Sequence, residues 1–157
     1  MQLEVVMSTD MDQINRTLLQ ELARDGRLTV RALAQEVGLS QPAVRERLNA
    51  LQRRGVIAGY RVVLDPESVG AGTAAYVSLR FTGGATAKAA LNAALQSEPC
   101  VLEVHEVAGD DCYLLKVRVG STTALADALD RLRAMPHINN TSSTIVLRTL
   151  FERPVVV

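Results

Sequence analysis

Tryptophan is absent, and the aromatic side chains number only five: Tyr60, Tyr76, Phe81, Tyr113 and Phe151. So sparse a set argues against binding single-stranded nucleic acid by stacking bases on rings. Cysteine and histidine are also rare. Cys100, Cys112, His105 and His137 are dispersed and make no metal-ligand spacing, and neither histidine has a nucleophile at a telling distance. No run approaches the roughly 18 apolar residues of a membrane span. Residues 1–10 lack the basic region and long apolar stretch of a signal peptide. Neither sign of charge is in excess: 17 basic and 17 acidic residues in 157 exclude a uniformly basic coat or an acidic tail. Lysine is scarce as well. Apart from Lys88 and Lys116 every basic residue is an arginine, fifteen in all, and arginine suits planar, bidentate contacts.

With 48% apolar and 22% charged residues, the chain can bury a sizeable core and should fold. Residues 10–56 are helical in period throughout. Ile14, Leu18, Leu19 and Leu22 form a stripe after a cap at Asp10 or Asp12, and Asp25-Gly26 ends that helix. Thr29 caps a second helix with Val30, Leu33 and Val37 inward, closed by Gly38. Ser40 or Gln41 opens a third, with Pro42 in its first turn and Val44, Leu48 and Leu51 inward. Two short helices joined by a glycine turn make a helix-turn-helix.

Val56–Leu64 reads as a strand, so residues 57–70 form a linker strand and hinge. Beyond it come a strand (about 73–82), a helix (about 85–97), strands (about 100–108 and 112–119), a helix (about 122–134) and a strand (about 143–151). This is the ferredoxin-like βαββαβ order over 71–157, an antiparallel sheet with helices on one side. Leu115, Val117 and Val119 share a face, as do Ile145, Leu147 and Phe151 in the last strand. Leu114 and Val146 on the opposite face call for a second subunit there. A hairpin turning at 109–111 holds Cys100 and Cys112 roughly 25 Å apart at ~3.4 Å per residue, beyond the ~7 Å reach of a disulfide. The fold class is therefore α+β: a helix-turn-helix, winged-helix-like domain at 10–56 and a ferredoxin-like domain, after an N-terminal extension of residues 1–9.

The arginines are not evenly spread. Between residues 24 and 61 eight arginines face three acids, a local charge of +5, which is an electrostatic footprint for phosphates. On the third helix Pro42, Arg45, Glu46, Asn49 and Arg53 point away from the inward stripe. The start of the second helix of a helix-turn-helix reaches base edges. Gln41, Arg45, Glu46 and Asn49 are therefore the candidate base readers, with Ser40 at the same end. Arg27, Arg31, Arg53, Arg54 and Arg61 are candidate phosphate contacts. Arg47, on the flank of the inward stripe, fits an ion pair with the first helix as well as it fits DNA. The plain alternative is a solvated, arginine-rich helix with Glu46 in a local salt bridge.

The order of these residues resembles the N-terminal module of the Lrp/AsnC family of bacterial and archaeal transcription regulators. The matching pattern is Asp12, the Ile and Leu of the first helix, Asp25-Gly26-Arg27, Leu33-Ala34, Val37-Gly38-Leu39-Ser40, Val44-x-x-Arg47-Leu48, Gly55-Val56-Ile57 and Tyr60. Val107–Val117, with Gly109-Asp110-Asp111-Cys112, and Thr141–Arg148 resemble the family's effector and oligomerisation domain, so the likeness spans about 10–153. It implies a cytoplasmic, nucleoid-associated regulator of double-stranded DNA that forms a homodimer, with further assembly to an octamer (a tetramer of dimers). It implies no catalytic residues, metal or cofactor. It also implies an amino-acid effector held between subunits by Gly109, Asp110, Asp111, Cys112, Thr141 and Ser143. Cys112 departs from the pattern, which has an acidic residue there, and a cysteine cannot supply the charge that pairs with an amino group. The residues alone leave open a ligand-sensing oligomeric module with little DNA binding, or an enzyme on the ferredoxin-like fold.

Overall fold

The computed structural model describes residues 11–153. Contacts divide the chain into two compact units: Leu64–Leu150 form one, and the described residues 11–63 and 151–153 belong to the other.

The first unit holds α1 (Gln13–Arg24), α2 (Val30–Val37) and α3 (Gln41–Arg53). Asp12 caps α1 by accepting from the amide of Asn15 at 2.7 Å; Asp10 lies outside the described residues. Thr29 caps α2 through the amide of Ala32, and Ser40 caps α3 through that of Ala43, each satisfying a first-turn N–H left over by the helix ladder. The turn between them rests on Gly38, at φ 66°, a left-handed conformation that costs glycine little. Leu18, Leu33, Ala34, Val44 and Leu48 bury together, with Ile14, Leu22, Val30, Val37 and Leu39 packed around them. The helical stripes among them follow from the 3.6-residue period, whereas Leu39 sits in the turn between α2 and α3.

The strand read over Val56–Leu64 is not formed. Among the described residues no segment pairs with it, and Val62 and Val63 are 82% and 96% exposed. A strand exists only through its ladder, so apolar, β-branched composition alone does not make one; Ile57 packs instead against the helical core. No strand follows α3 before Thr73 among the described residues.

The second unit runs β1 (Thr73–Phe81), α4 (Ala85–Ser97), β2 (Val101–Glu106), β3 (Tyr113–Val119), α5 (Thr122–Arg133) and β4 (Ile138–Val146). The sheet order is β2-β3-β1-β4 and all three pairings are antiparallel, the ferredoxin-like arrangement. Ala75, Val77, Leu79, Leu115 and Val117 are fully buried under Leu91, Leu95, Leu125, Ala128 and Leu132 of the two helices. The opposite face carries Tyr76, Ser78, Leu114, Lys116 and His105, at register positions one removed from the core. No helix of this unit covers it.

The last strand starts at Ile138 and ends at Val146, not 143–151. Asn139–Thr144 has the composition of a loop, but as an edge strand bonded only to β1 it turns most of its polar side chains to water. Leu147 and Phe151 therefore leave the face expected for them and lie 98% and 71% exposed, whereas Ile145 pairs opposite Ala75. Both cysteines are free thiols. The carbonyl of Cys100 accepts from Arg118 at the far end of the hairpin from Cys112.

Candidate functional site

On α3 the buried residues are Val44, Leu48 and Leu51, while Gln41, Arg45, Glu46, Asn49 and Arg53 are exposed. At 100° per residue the outward set spans the side away from the core. Arg27, Arg31 and Arg54 are exposed too, so the structure keeps every candidate reader and phosphate contact of this unit at the surface. Among the described residues, Arg27, Arg31, Arg45 and Arg53 form no side-chain ion pair or hydrogen bond, and Glu46 has no salt-bridge partner. Their charge is not neutralised by any described side chain. Ser40 spends one oxygen lone pair on its cap at 3.4 Å, and its hydroxyl proton is still able to donate.

Arg47 behaves differently. It is half-buried, and its guanidinium donates to Oδ2 of Asp12 at 2.6 Å and to Oδ1 of Asn15 at 3.1 Å. The Asp12 carboxyl is held below its ordinary range, first by the Asn15 amide and next by Arg47.

The second candidate cluster gathers at one end of the sheet. Gly109 has φ 145°, a region open to glycine and strained for other residues, and it turns the β2–β3 loop. The loop is stitched to β1: the Cys112 amide donates to the Leu79 carbonyl at 2.9 Å, and the Val107 amide donates to the Cys112 carbonyl at 3.1 Å. Thr141 lies opposite Leu79 on the other flank of β1, and Ser143 lies opposite Val77. Thus Cys112 and Thr141 bracket one residue of β1, whereas Ser143 sits two positions deeper. Among the described residues, the side chains of Asp110 and Asp111 have no partner; Asp110 is exposed and Asp111 half-buried.

Two arginines that sequence reasoning passed over belong to this end. Arg80 donates from Nε to the Asp110 carbonyl at 2.9 Å, pinning the loop. Arg133 donates from Nε to Oγ1 of Thr141 at 3.0 Å while pairing with Asp130 at 3.1 Å. Neither sits in a local motif. Only the strand register brings them to the loop and to Thr141. Lys88 of α4 pairs with Glu106 just before the loop, and this raises the Lys88 pKa. A groove of about 510 Å³ lies elsewhere, between α4 and β2, lined by Asn92, Gln96, Leu102, Val104, Glu106 and Tyr113. It includes none of the loop or β4 candidates. Among the described residues no group of three or more His, Cys, Asp or Glu could hold a metal ion, and no helix is long and apolar enough to cross a membrane.

Comparison with known proteins covers both clusters. Residues 11–52 match the AsnC-type helix-turn-helix domain, and residues 74–156 match the Lrp/AsnC ligand binding domain. The HTH-type transcriptional regulator LrpA of Mycobacterium tuberculosis is 39% identical over 149 residues, covering 93% of this chain and 96% of that protein. Among solved structures, the feast or famine regulatory protein of M. tuberculosis complexed with L-methionine superposes with a TM-score of 0.83 at 38% identity, over 93% of this chain and 99% of the other. A Neisseria meningitidis transcriptional regulator in complex with L-Met gives 0.85 at 28% identity, over 90% and 93%.

Proposed function

The chain belongs to the Lrp/AsnC family of helix-turn-helix transcription regulators, and from that premise we propose how its residues divide the work. Residues 10–56 bind double-stranded DNA, 57–70 connect, and 71–157 assemble the protein and receive an effector. α3 enters the major groove, where Arg45 donates to guanine, Gln41 and Asn49 pair with adenine, and Glu46 accepts from cytosine. Arg27, Arg31, Ser40, Arg53 and Arg54 hold phosphates and set the register without specifying sequence. The observation that carries this reading is the outward face of α3, whose arginines have no partner among the described residues.

A homodimer fits two unfinished surfaces. The sheet face with Tyr76, Leu114 and His105 has no helix of its unit over it, and Val62-Val63-Leu64 is exposed and in no strand. A second copy supplies both a covering layer and a strand partner, and a two-fold dimer reads two half-sites one helical turn apart. Further assembly to an octamer rests on the family alone. The effector is an amino acid at the sheet end formed by Gly109, Asp110, Asp111, Cys112, Thr141 and Ser143. There the Asp111 carboxylate is a partner for the ammonium, and the hydroxyls of Thr141 and Ser143 are donors for the carboxylate. The protein works in the cytoplasm, on the nucleoid, and performs no catalysis.

Genome-wide footprinting of DNA bound by the full-length protein tests the reading. Discrete protected sites with two-fold symmetry are expected. Uniform, sequence-independent occupancy would remove base reading by α3, and no occupancy at all would leave only the ligand-sensing module.

A further inference from the structure

Of the basic residues on α3, Arg47 alone is turned inward to the base of another helix. About 160° around the helix axis separates it from Arg45, at 100° per residue, and it lies beside the buried stripe of Val44, Leu48 and Leu51. Its two acceptors both belong to the start of α1, 35 and 32 residues back along the chain. One of them, Asp12, divides its carboxylate: Oδ1 takes the Asn15 amide and caps α1, while Oδ2 takes the Arg47 guanidinium. The other, Asn15, is the one buried polar residue among the described residues, 8% exposed. A buried amide oxygen needs a partner, and Arg47 donates to it. Helix packing by ridges and grooves tolerates a spread of crossing angles. A forked, charge-assisted contact to two fixed acceptors narrows that spread.

We propose that Arg47 is a positioning residue for DNA recognition: through Asp12 and Asn15 it fixes the angle at which α3 presents Arg45 and Asn49, and it does not touch the duplex. The inference rests on the reading of α3 as the recognition helix. It adds that specificity depends on a contact at the opposite flank of that helix, reaching back to the N-terminus of α1. A base contact fails when its donors shift by about 1 Å, so a looser α3 loses discrimination before it loses fold.

The test uses the full-length protein and two duplexes of equal length, one selected from a random library by the wild type and one scrambled. Arg47→Met keeps the aliphatic stem and removes the guanidinium. Asp12→Ser keeps a cap for α1 and removes the oxygen that Arg47 uses. Each single variant is expected to reduce the preference for the selected duplex about tenfold, and the double variant by about the same factor, because both break one coupling. The dependence of affinity on salt is expected to stay as in the wild type, and Arg47→Lys to recover part of the preference. A salt slope lowered by about one in Arg47→Met, with Asp12→Ser unaffected, would make Arg47 a phosphate contact and overturn the proposal. Lowered melting temperatures with the duplex preference intact would reduce the cluster to plain structural support and overturn it too. Should Arg47→Met fail to fold, Asp12→Ser still decides between these outcomes. A wild type that selects no duplex removes the recognition reading itself, and this proposal with it.

Discussion

The amide of Cys112 donates to the carbonyl of Leu79 at 2.9 Å, and Thr141 stands opposite that same Leu79 on the other side of β1. Two segments nearly thirty residues apart in sequence are thereby fixed on either flank of one strand end, within about 10 Å at the usual strand spacing. An effector spanning them would meet a glycine loop on one side and a hydroxyl on the other. What this end lacks is an acid at position 112.

Cys112→Asp is therefore expected to strengthen amino-acid binding about tenfold, the scale of one charge-assisted hydrogen bond to an ammonium. Thermal-shift screening of the twenty amino acids identifies the ligand, and calorimetry on both proteins measures the change. Equal or weaker binding by the variant would place the ammonium elsewhere.

Arg80 pins the same loop through the Asp110 carbonyl. Replacing it with Met is expected to cost about 0.5–1.5 kcal/mol, as for a typical net hydrogen bond. The loss should fall on the loop: amide exchange should accelerate over 107–112 and remain unchanged in β3. Uniform acceleration across the sheet would contradict the assignment.

How much of this the sequence disclosed follows from the range of each interaction. The cap at Thr29, the turn at Gly38 and the outward face of α3 are set within one or two helical turns, and residue types at fixed spacing reveal them; for the other two caps spacing narrows the choice to Asp10 or Asp12 and to Ser40 or Gln41. The ferredoxin-like order was legible for the same reason, since glycine and proline punctuate each element. The polar run Asn139–Thr144 was not legible as strand, because edge pairing to β1 tolerates side chains that face water. Val56–Leu64 failed in the opposite direction, being apolar enough for a strand but having no ladder partner among the described residues. Arg80 and Arg133 were invisible for want of a register.

Each unit has its own core, so truncations should act locally. Leu115 and Leu33 are 0% and 1% exposed, and either residue changed to Ala is expected to cost about 2–5 kcal/mol. Chemical denaturation followed by amide exchange should show Leu115→Ala weakening the sheet unit and Leu33→Ala the helical one. Identical exchange patterns in both variants would mean that the units unfold as one.

Glu98, with a side chain only 10% exposed, accepts from Arg131 at 2.7 Å. That guanidinium is the main cause of its lowered pKa, aided by the Cys100 thiol. Asp12 is lowered in the other unit. A carboxylate whose folded pKa lies below its unfolded value adds stability above the unfolded value, and that stability disappears as pH falls through the folded one. Melting temperature should therefore fall on acidification below about pH 4–5, and Glu98→Gln should flatten part of that decline while lowering stability at pH 7. A variant that matches the wild type at pH 7 would show that the pair contributes nothing.

The central claim is that α3 reads base edges through its outward face, and Arg45 tests it most directly. Wild type and Arg45→Ala are each used to select duplexes from one random library, and affinities are then measured for every single-base change in the wild-type site. The expected result is a loss of about 1–3 kcal/mol confined to sequences with guanine at one position per half-site, where the variant no longer discriminates. An equal loss on every sequence, with the salt slope reduced by about one, would contradict it by making Arg45 a phosphate contact.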